Sequence, residues 1–162
     1  MIGKTMEKAL NEQINAELYS FYLYLSMSSW CEAGNWSGMA AWMRKQAEEE
    51  MTHAMKLFRY VTERGGRVQL PAIAEPPAEW ASPLALFEAS LAHEREVTAR
   101  ISALVERADA EKDHATHAFL QWFVTEQVEE ESTLEPVVAH LKLAGDNVAA
   151  LLGMDRSLGA RQ

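Results

Sequence analysis

Glu50 and His53 stand three residues apart in the run Glu48-Glu49-Glu50-Met51-Thr52-His53. On a helix that spacing stacks a carboxylate and an imidazole on one face, aimed at a common point, which is half of a metal site. The flanking residues, Met39-Ala40-Ala41-Trp42-Met43 and Met55-Lys56-Leu57-Phe58-Arg59-Tyr60, are apolar at helical spacing, so the pair would turn toward a core. Buried charge is costly unless it is paired or binds a cation. Taken alone, the six residues fit a solvated charge run equally well, because charged side chains mostly stay exposed. The single cysteine, Cys31, excludes an internal disulfide framework and a thiolate cluster. Any metal would therefore be held by carboxylate and imidazole, ligands that suit iron or manganese.

The elements that must position this pair are all helical. The chain's 162 residues suit one domain, 1–162, with a substantial core. Apolar residues recur at helical spacing over about 5–32 (Met6, Leu10, Ile14, Leu18, Phe21, Leu25), with Glu12, Gln13 and Asn15 between them, until Ala33-Gly34-Asn35 interrupts. A second helix is predicted over about 36–64, ending at Gly65-Gly66. Pro71, Pro76 and Pro77 mark an extended connection from Arg67 to Ser82. Ser82-Pro83 opens a third helix over about 83–109, as a cap followed by proline in the first turn. Asp113 caps a fourth over about 114–143, with Pro136 as a kink, and Gly145 ends it. Asp146 caps a short fifth over about 146–158. No segment alternates with a strand's period.

Loop lengths set the topology. Short links make the first and second helices one antiparallel hairpin and the third and fourth another. Helices of about 28 residues span roughly 42 Å, and a link of roughly 16 residues stretches to about 53 Å. The middle link can therefore cross the bundle and start the third helix parallel to the second. The fold class is all-α, a four-helix bundle with one long crossover and a short fifth helix.

Residues near the helix midpoints then share one level. Glu17, Glu50 with His53, Glu94, and Gln127 with Glu130 all fall there. Several inward carboxylates at one height repel unless a multivalent cation neutralises them. Glu50 would bridge two metals, with Glu17 and His53 completing one site and Glu94 the other, which resembles the di-iron carboxylate plan.

This ordered set, with Tyr24, Glu126 and Glu129, resembles the ferroxidase centre of ferritins, specifically the haem-free bacterial type. The likeness extends from Asn11-Glu12-Gln13-Ile14-Asn15-Ala16-Glu17 through Leu120-Gln121-Trp122-Phe123 to Asp155-Arg156. It implies that Glu17, Glu50 and His53 hold one iron, Glu50, Glu94 and Glu130 a second, with Gln127 beside them. It also implies a third iron on Glu49, Glu126 and Glu129 with Glu130 shared, and the spacing of 126, 129 and 130 puts those three on one helix face. Tyr24, two turns after Glu17, reads either as a core filler with a hydrogen-bond partner or, by resemblance, as an electron donor near the centre. Trp122 reads as a large core aromatic. Haem-binding bacterioferritins use a methionine comparable to Met51 and a second E-x-x-H on the fourth helix. Here that stretch is Glu126-Gln127-Val128-Glu129-Glu130, so no haem is expected. His93, His114, His117 and His140 read as surface or interface residues.

The resemblance implies an iron-storage protein whose twenty-four subunits enclose a shell. Each would oxidise Fe(II) with O2 or H2O2 and release ferric product to a mineral inside. A haem-binding bacterioferritin-like protein or another di-iron carboxylate oxidase is the alternative. A net charge of -9 argues against nucleic acid as a partner. No apolar run approaches the roughly 18 residues of a membrane helix. The first residues enter an amphipathic pattern without a signal-peptide core, so a cytoplasmic protein is expected.

Overall fold

The computed structural model describes residues 1–160, which form five helices and no strand. They are α1 (Lys4–Ala33), α2 (Ser37–Glu63), α3 (Pro83–Ala110), α4 (His114–Ala144) and α5 (Val148–Gly159). No helix among the described residues is long and apolar enough to cross a membrane. Local chemistry sets most of the boundaries. Ser82 Oγ accepts from the Ala85 amide at 3.1 Å with Pro83 in the first turn, and Asp113 Oδ1 accepts from the Thr116 amide at 3.1 Å. Gly65 at φ +74° and Gly145 at φ +53° follow α2 and α4 in the left-handed region that glycine tolerates. The helix α4 continues through Pro136.

The cap of α5 differs from the expectation. Asn147, not Asp146, is its N-cap, and its Oδ1 accepts from the Ala150 amide at 3.0 Å. After Gly145 the chain closes one further turn, with the Asn147 amide on the Ala144 carbonyl at 3.1 Å. The first helical residue is thereby delayed by that turn.

The crossover is tied to α1 in ascending order. Asn11 Nδ2 donates to the Arg67 carbonyl at 3.0 Å, and its Oδ1 accepts from the Gln69 amide at 2.7 Å. Higher up, Asn15 donates to the Ala72 carbonyl at 3.3 Å, Ser26 to that of Pro77 at 2.5 Å, and Trp30 meets Trp80 edge-on at 6.3 Å. The link thus climbs alongside α1, and α3 begins at the level where α2 begins.

That direction sorts the core into two apolar clusters. One holds Leu23 and Met27 from α1, Met39 and Met43 from α2, Leu86 and Phe87 from α3, and Leu134 and Leu141 from α4. The other takes the opposite ends of the same helices: Leu10 and Ile14, Leu57 and Val61, Val97 and Ile101, Leu120 and Phe123. Between them, at positions 17, 50, 53, 94, 127 and 130, lies a layer of buried polar side chains.

The short α5 docks on the start of α2, whose N-cap residue Trp36 makes no side-chain cap. Asp155, 6% exposed, substitutes from α5: its Oδ1 accepts from the Met39 amide at 2.8 Å and its Oδ2 from the Gly38 amide at 3.2 Å. The approach is so close that a Cβ on Gly38 would lie 1.7 Å from the Asp155 carbonyl oxygen. Replacing Gly38 by alanine therefore sets about 1 kcal/mol of helix propensity against a backbone clash and the loss of both cap bonds. The clash wins: a net loss of about 2 kcal/mol or more is expected, seen as a lower unfolding midpoint and faster proteolysis of α5. Unchanged protection of α5 in Gly38→Ala would contradict this docking.

Candidate metal centre

Each of the four long helices brings one carboxylate to the middle layer, and three of the four accept a hydrogen bond from an amide or a phenol. On α1, Glu17 is 1% exposed and its Oε1 accepts from Gln13 Nε2 at 2.9 Å. Its other oxygen, Oε2, is buried with no hydrogen-bond donor. On α2, Glu50 Oε2 lies 3.4 Å from His53 Nδ1, and both side chains are buried. Glu94 on α3 accepts from the Tyr24 hydroxyl and, at 3.1 Å, from Gln127 Nε2, which also reaches the Glu94 carbonyl at 3.2 Å. Glu130 on α4 accepts from Gln46 Nε2 at 2.6 Å.

Among the described residues one group brings three ligand atoms within 4.8 Å of one another: Glu17, Glu50 and His53. Glu94 and Glu130 share the layer, hydrogen-bonded to Tyr24 and Gln127 and to Gln46 respectively. The expected third group is looser. Glu126 Oε2 lies 3.9 Å from His53 Nε2, Glu49 is half-buried, and Glu129 is exposed.

Electrostatics mark the layer as unfinished without a cation. Burial raises Glu17 well above the ordinary carboxylate range, and the neighbouring Glu50 raises it further. Burial and Glu94 do the same to Glu50. Glu94 is raised chiefly by burial, against the hydrogen bonds from Tyr24 and Gln127, and Glu130 is pushed up to about 7 by burial and Glu94. Tyr24, wholly buried and facing Glu94, is raised well above its ordinary value and stays a neutral donor. Four crowded carboxylates, a buried oxygen without a donor and an imidazole form a donor set that fits divalent or trivalent iron. Glu17 Oε2, buried without a donor, leaves this group an acceptor atom that a cation would satisfy.

Three side chains outside the expected set belong to this neighbourhood. Gln13 and Gln46 each precede a site glutamate by four residues, the helical spacing that stacks them on Glu17 and Glu50. That repeated Gln-x-x-x-Glu pattern was the available signal. The third is His93, expected at the surface or an interface and found half-buried. Its Nε2 lies 2.7 Å from Ser20 Oγ and its ring packs edge-on against Tyr24 with centroids 6.1 Å apart. Burial lowers it to about 4, so it is neutral and buttresses the phenol. Trp122 is half-buried, not a fully enclosed core aromatic, with its ring edge-on to His53 at 5.4 Å and Lys56 Nζ 4.1 Å from its centroid. Met51 is half-buried and faces a groove with Thr52, Met55, Lys56 and Trp122.

Comparison with known proteins gives a consistent neighbourhood. The family model of the ferritin-like domain matches residues 7–144. The chain is 47% identical over 161 residues to a bacterial non-heme ferritin of Bacteroides fragilis, covering 99% of this chain and all of that protein. It is 38% identical to one from Staphylococcus aureus, covering 99% of this chain and 97% of that protein. Among solved structures, an open pore ferritin of the hyperthermophilic archaeon Archaeoglobus fulgidus superposes with a TM-score of 0.99 at 54% identity, over the whole of this chain and 99% of that one.

Proposed function

The chain belongs to the ferritin family, and from that membership we propose that it stores iron without haem, oxidising Fe(II) with O2 or H2O2 in a twenty-four-subunit shell. The observation that carries this reading is the buried group Glu17, Glu50 and His53, with an orphaned carboxylate oxygen, flanked by Glu94 and Glu130. Iron is the substrate, and its two ions supply the electrons that reduce the oxidant.

The protein's part is to bind, orient and exclude water. Glu17 and His53 hold one Fe(II), Glu94 and Glu130 the other, and Glu50 bridges them. Gln13 fixes Glu17, Gln46 fixes Glu130, and Gln127 with Tyr24 fixes Glu94, so the lone pairs left over converge on the layer. Oxygen-rich anionic ligands favour the more highly charged ferric product, which lowers the barrier to electron loss. Tyr24 keeps its proton on the hydrogen bond to Glu94 and stands ready as a further one-electron donor. The apolar clusters above and below keep bulk water out, which strengthens every charge interaction inside. Glu126, beside His53, leads toward Glu49 and Glu129, a weaker third site through which ferric product leaves.

Loading the assembled particle with Fe(II) in air tests the proposal. The expected result is many irons per subunit on a particle of shell size. Uptake that stops at two or three per subunit would indicate another di-iron carboxylate oxidase, and no uptake would sink the reading. In Glu126→Ala with Glu129→Ala, the fast phase for the first two Fe(II) should persist while recovery on a second addition slows.

A further inference from the structure

From the outer edge of His53 a row of aromatic rings runs away from the carboxylate layer along α2 and α4. His53 meets Trp122 edge-on at 5.4 Å, and Trp122 meets Phe123 at 4.8 Å. Phe123 lies 5.5 Å from Phe119, which is stacked on Tyr60 at 3.8 Å with the planes 8° apart. The row ends in a hydrogen-bonded group that neither iron binding nor the fold's capping needs in full.

Donor and acceptor accounting gives that group a direction. Thr116 Oγ1 donates its one hydrogen to Asp113 Oδ2 at 2.6 Å, so at its 2.9 Å contact with Tyr60 the threonine oxygen accepts and the phenol donates. Arg64 Nη1 donates to the Tyr60 oxygen at 2.5 Å and to Asp113 Oδ1 at 3.2 Å. The hydrogen bonds from Thr116 and the charge of Arg64 hold the Asp113 carboxyl below its ordinary range despite partial burial, so it is ionised at neutral pH. A proton path therefore runs from Tyr60 through Thr116 to a carboxylate.

We propose that Trp122 and Tyr60 form a redox relay in which an oxidising equivalent arriving beside His53 is carried through Phe123 and Phe119 to Tyr60. In the first step Trp122 gives one electron to a one-electron oxidant. In the second, Tyr60 gives one electron to the oxidised indole, restoring Trp122. As it does so the Tyr60 hydroxyl proton passes to Thr116 Oγ1, and the Thr116 hydroxyl proton passes to Asp113. The products are a neutral phenoxyl at Tyr60 and a protonated Asp113, so one electron and one proton are accounted for.

Charge placement drives the second step forward. Lys56 over Trp122 favours the neutral ring and repels a positive one, so the indole does not retain the charge. Arg64 stands 5.5 Å from the Tyr60 ring, yet an oxidised phenol that has shed its proton is neutral and is not repelled. The supply of the oxidant from oxygen chemistry at the carboxylate layer rests on the function proposed above. The relay itself is a property of the metal-free chain.

The test is therefore made on metal-free, assembled protein. A ruthenium polypyridyl photo-oxidant is attached at Gln121→Cys, an exposed position beside Trp122, with native Cys31 buried and unreactive. The other four tryptophans all lie with the far apolar cluster, so the label addresses Trp122. After a flash, an indole radical cation should appear and decay into a phenoxyl radical seen by transient absorption and electron paramagnetic resonance. In Tyr60→Phe the phenoxyl should be lost and the indole radical cation should live roughly tenfold longer. Thr116→Val, which keeps the stack and cuts the proton path, should slow the same decay. Equal indole radical lifetimes in parent and Tyr60→Phe would overturn the relay. That outcome is independent of iron accumulation, whose failure would sink the function proposed above and leave the relay standing.

Discussion

Exchange of Glu50 for alanine should reduce rapid Fe(II) oxidation by roughly a hundredfold or more, to near the rate in buffer. Removing a group that merely orients a metal ligand already costs about 10–100-fold, and Glu50 is placed to touch both ions. The shell should still assemble, because Glu50 is 2% exposed and makes no contact with the outer surface. Stability separates a metal ligand from a structural residue. The alanine leaves a void worth about 2 kcal/mol, which offsets the relief of crowding among Glu17, Glu94 and Glu130. Glu50→Gln leaves no void and removes the charge, and its new amide can donate to the orphaned Glu17 Oε2. The metal-free Glu50→Gln particle should therefore be more stable than the parent by about 1–3 kcal/mol at neutral pH while oxidising iron no better than the alanine variant. Parent-like stopped-flow kinetics in Glu50→Ala would mean that the bridge lies elsewhere.

The metal-free particle should also lose stability as pH rises toward neutrality, contrary to the usual behaviour of acidic side chains. Glu17, Glu50, Glu94 and Glu130 all have folded values above the ordinary range. Between about pH 4.3, where the unfolded chain ionises, and about 7, where Glu130 does, the folded state holds more protons than the unfolded one. The unfolding free energy then falls with increasing pH, by on the order of 3 kcal/mol for Glu130 alone. Asp113, with its folded value lowered, acts in the opposite sense, contributing stability above its unfolded value that is lost as pH falls. Thermal midpoints of metal-free protein should fall from about pH 5 to 7.5, and a redox-inert divalent cation such as Zn(II) should abolish the fall. A midpoint that is flat or rises over this window in the metal-free protein would show that the layer is not strained by its charges.

Local signals carried much of this structure. Ser82-Pro83, Asp113 and Gly145 mark helix ends by chemistry contained within three or four residues, and the long link between Arg67 and Ser82 dictated its own crossover. Matching helix midpoints was enough to bring Glu17, Glu50, His53, Glu94, Gln127 and Glu130 to one height, because the helices are nearly equal in length. What sequence patterns missed depends on partners distant along the chain. Asp155 caps α2 from 116 and 117 residues away, and no pattern near Trp36 announces it. His93 owes its burial to Ser20, Tyr19 and Tyr24 on another helix. Gln13 and Gln46 were visible at helical spacing, yet a glutamine on a charged helix reads first as solvated. The one-residue error at Asn147 reflects two adjacent side chains with equal capping chemistry.

The polar layer between the apolar clusters has a mechanical meaning. Each of the four long helices is anchored at both ends by its own set of side chains, Ile14 with Leu57, Ile101 and Phe123 below and Met27 with Met43, Phe87 and Leu134 above. Apart from the continuous helices themselves, the halves meet across a layer of polar groups in which the carboxylates repel one another. An empty subunit is in effect two stubby bundles in series with a compliant seam at the waist. Ions that span Glu17, Glu50, Glu94 and Glu130 would cross-link all four helices at that seam, so the cargo also acts as a fastener. Rigidity along the helix axis then becomes a record of loading, readable at ends of the subunit that no ion touches.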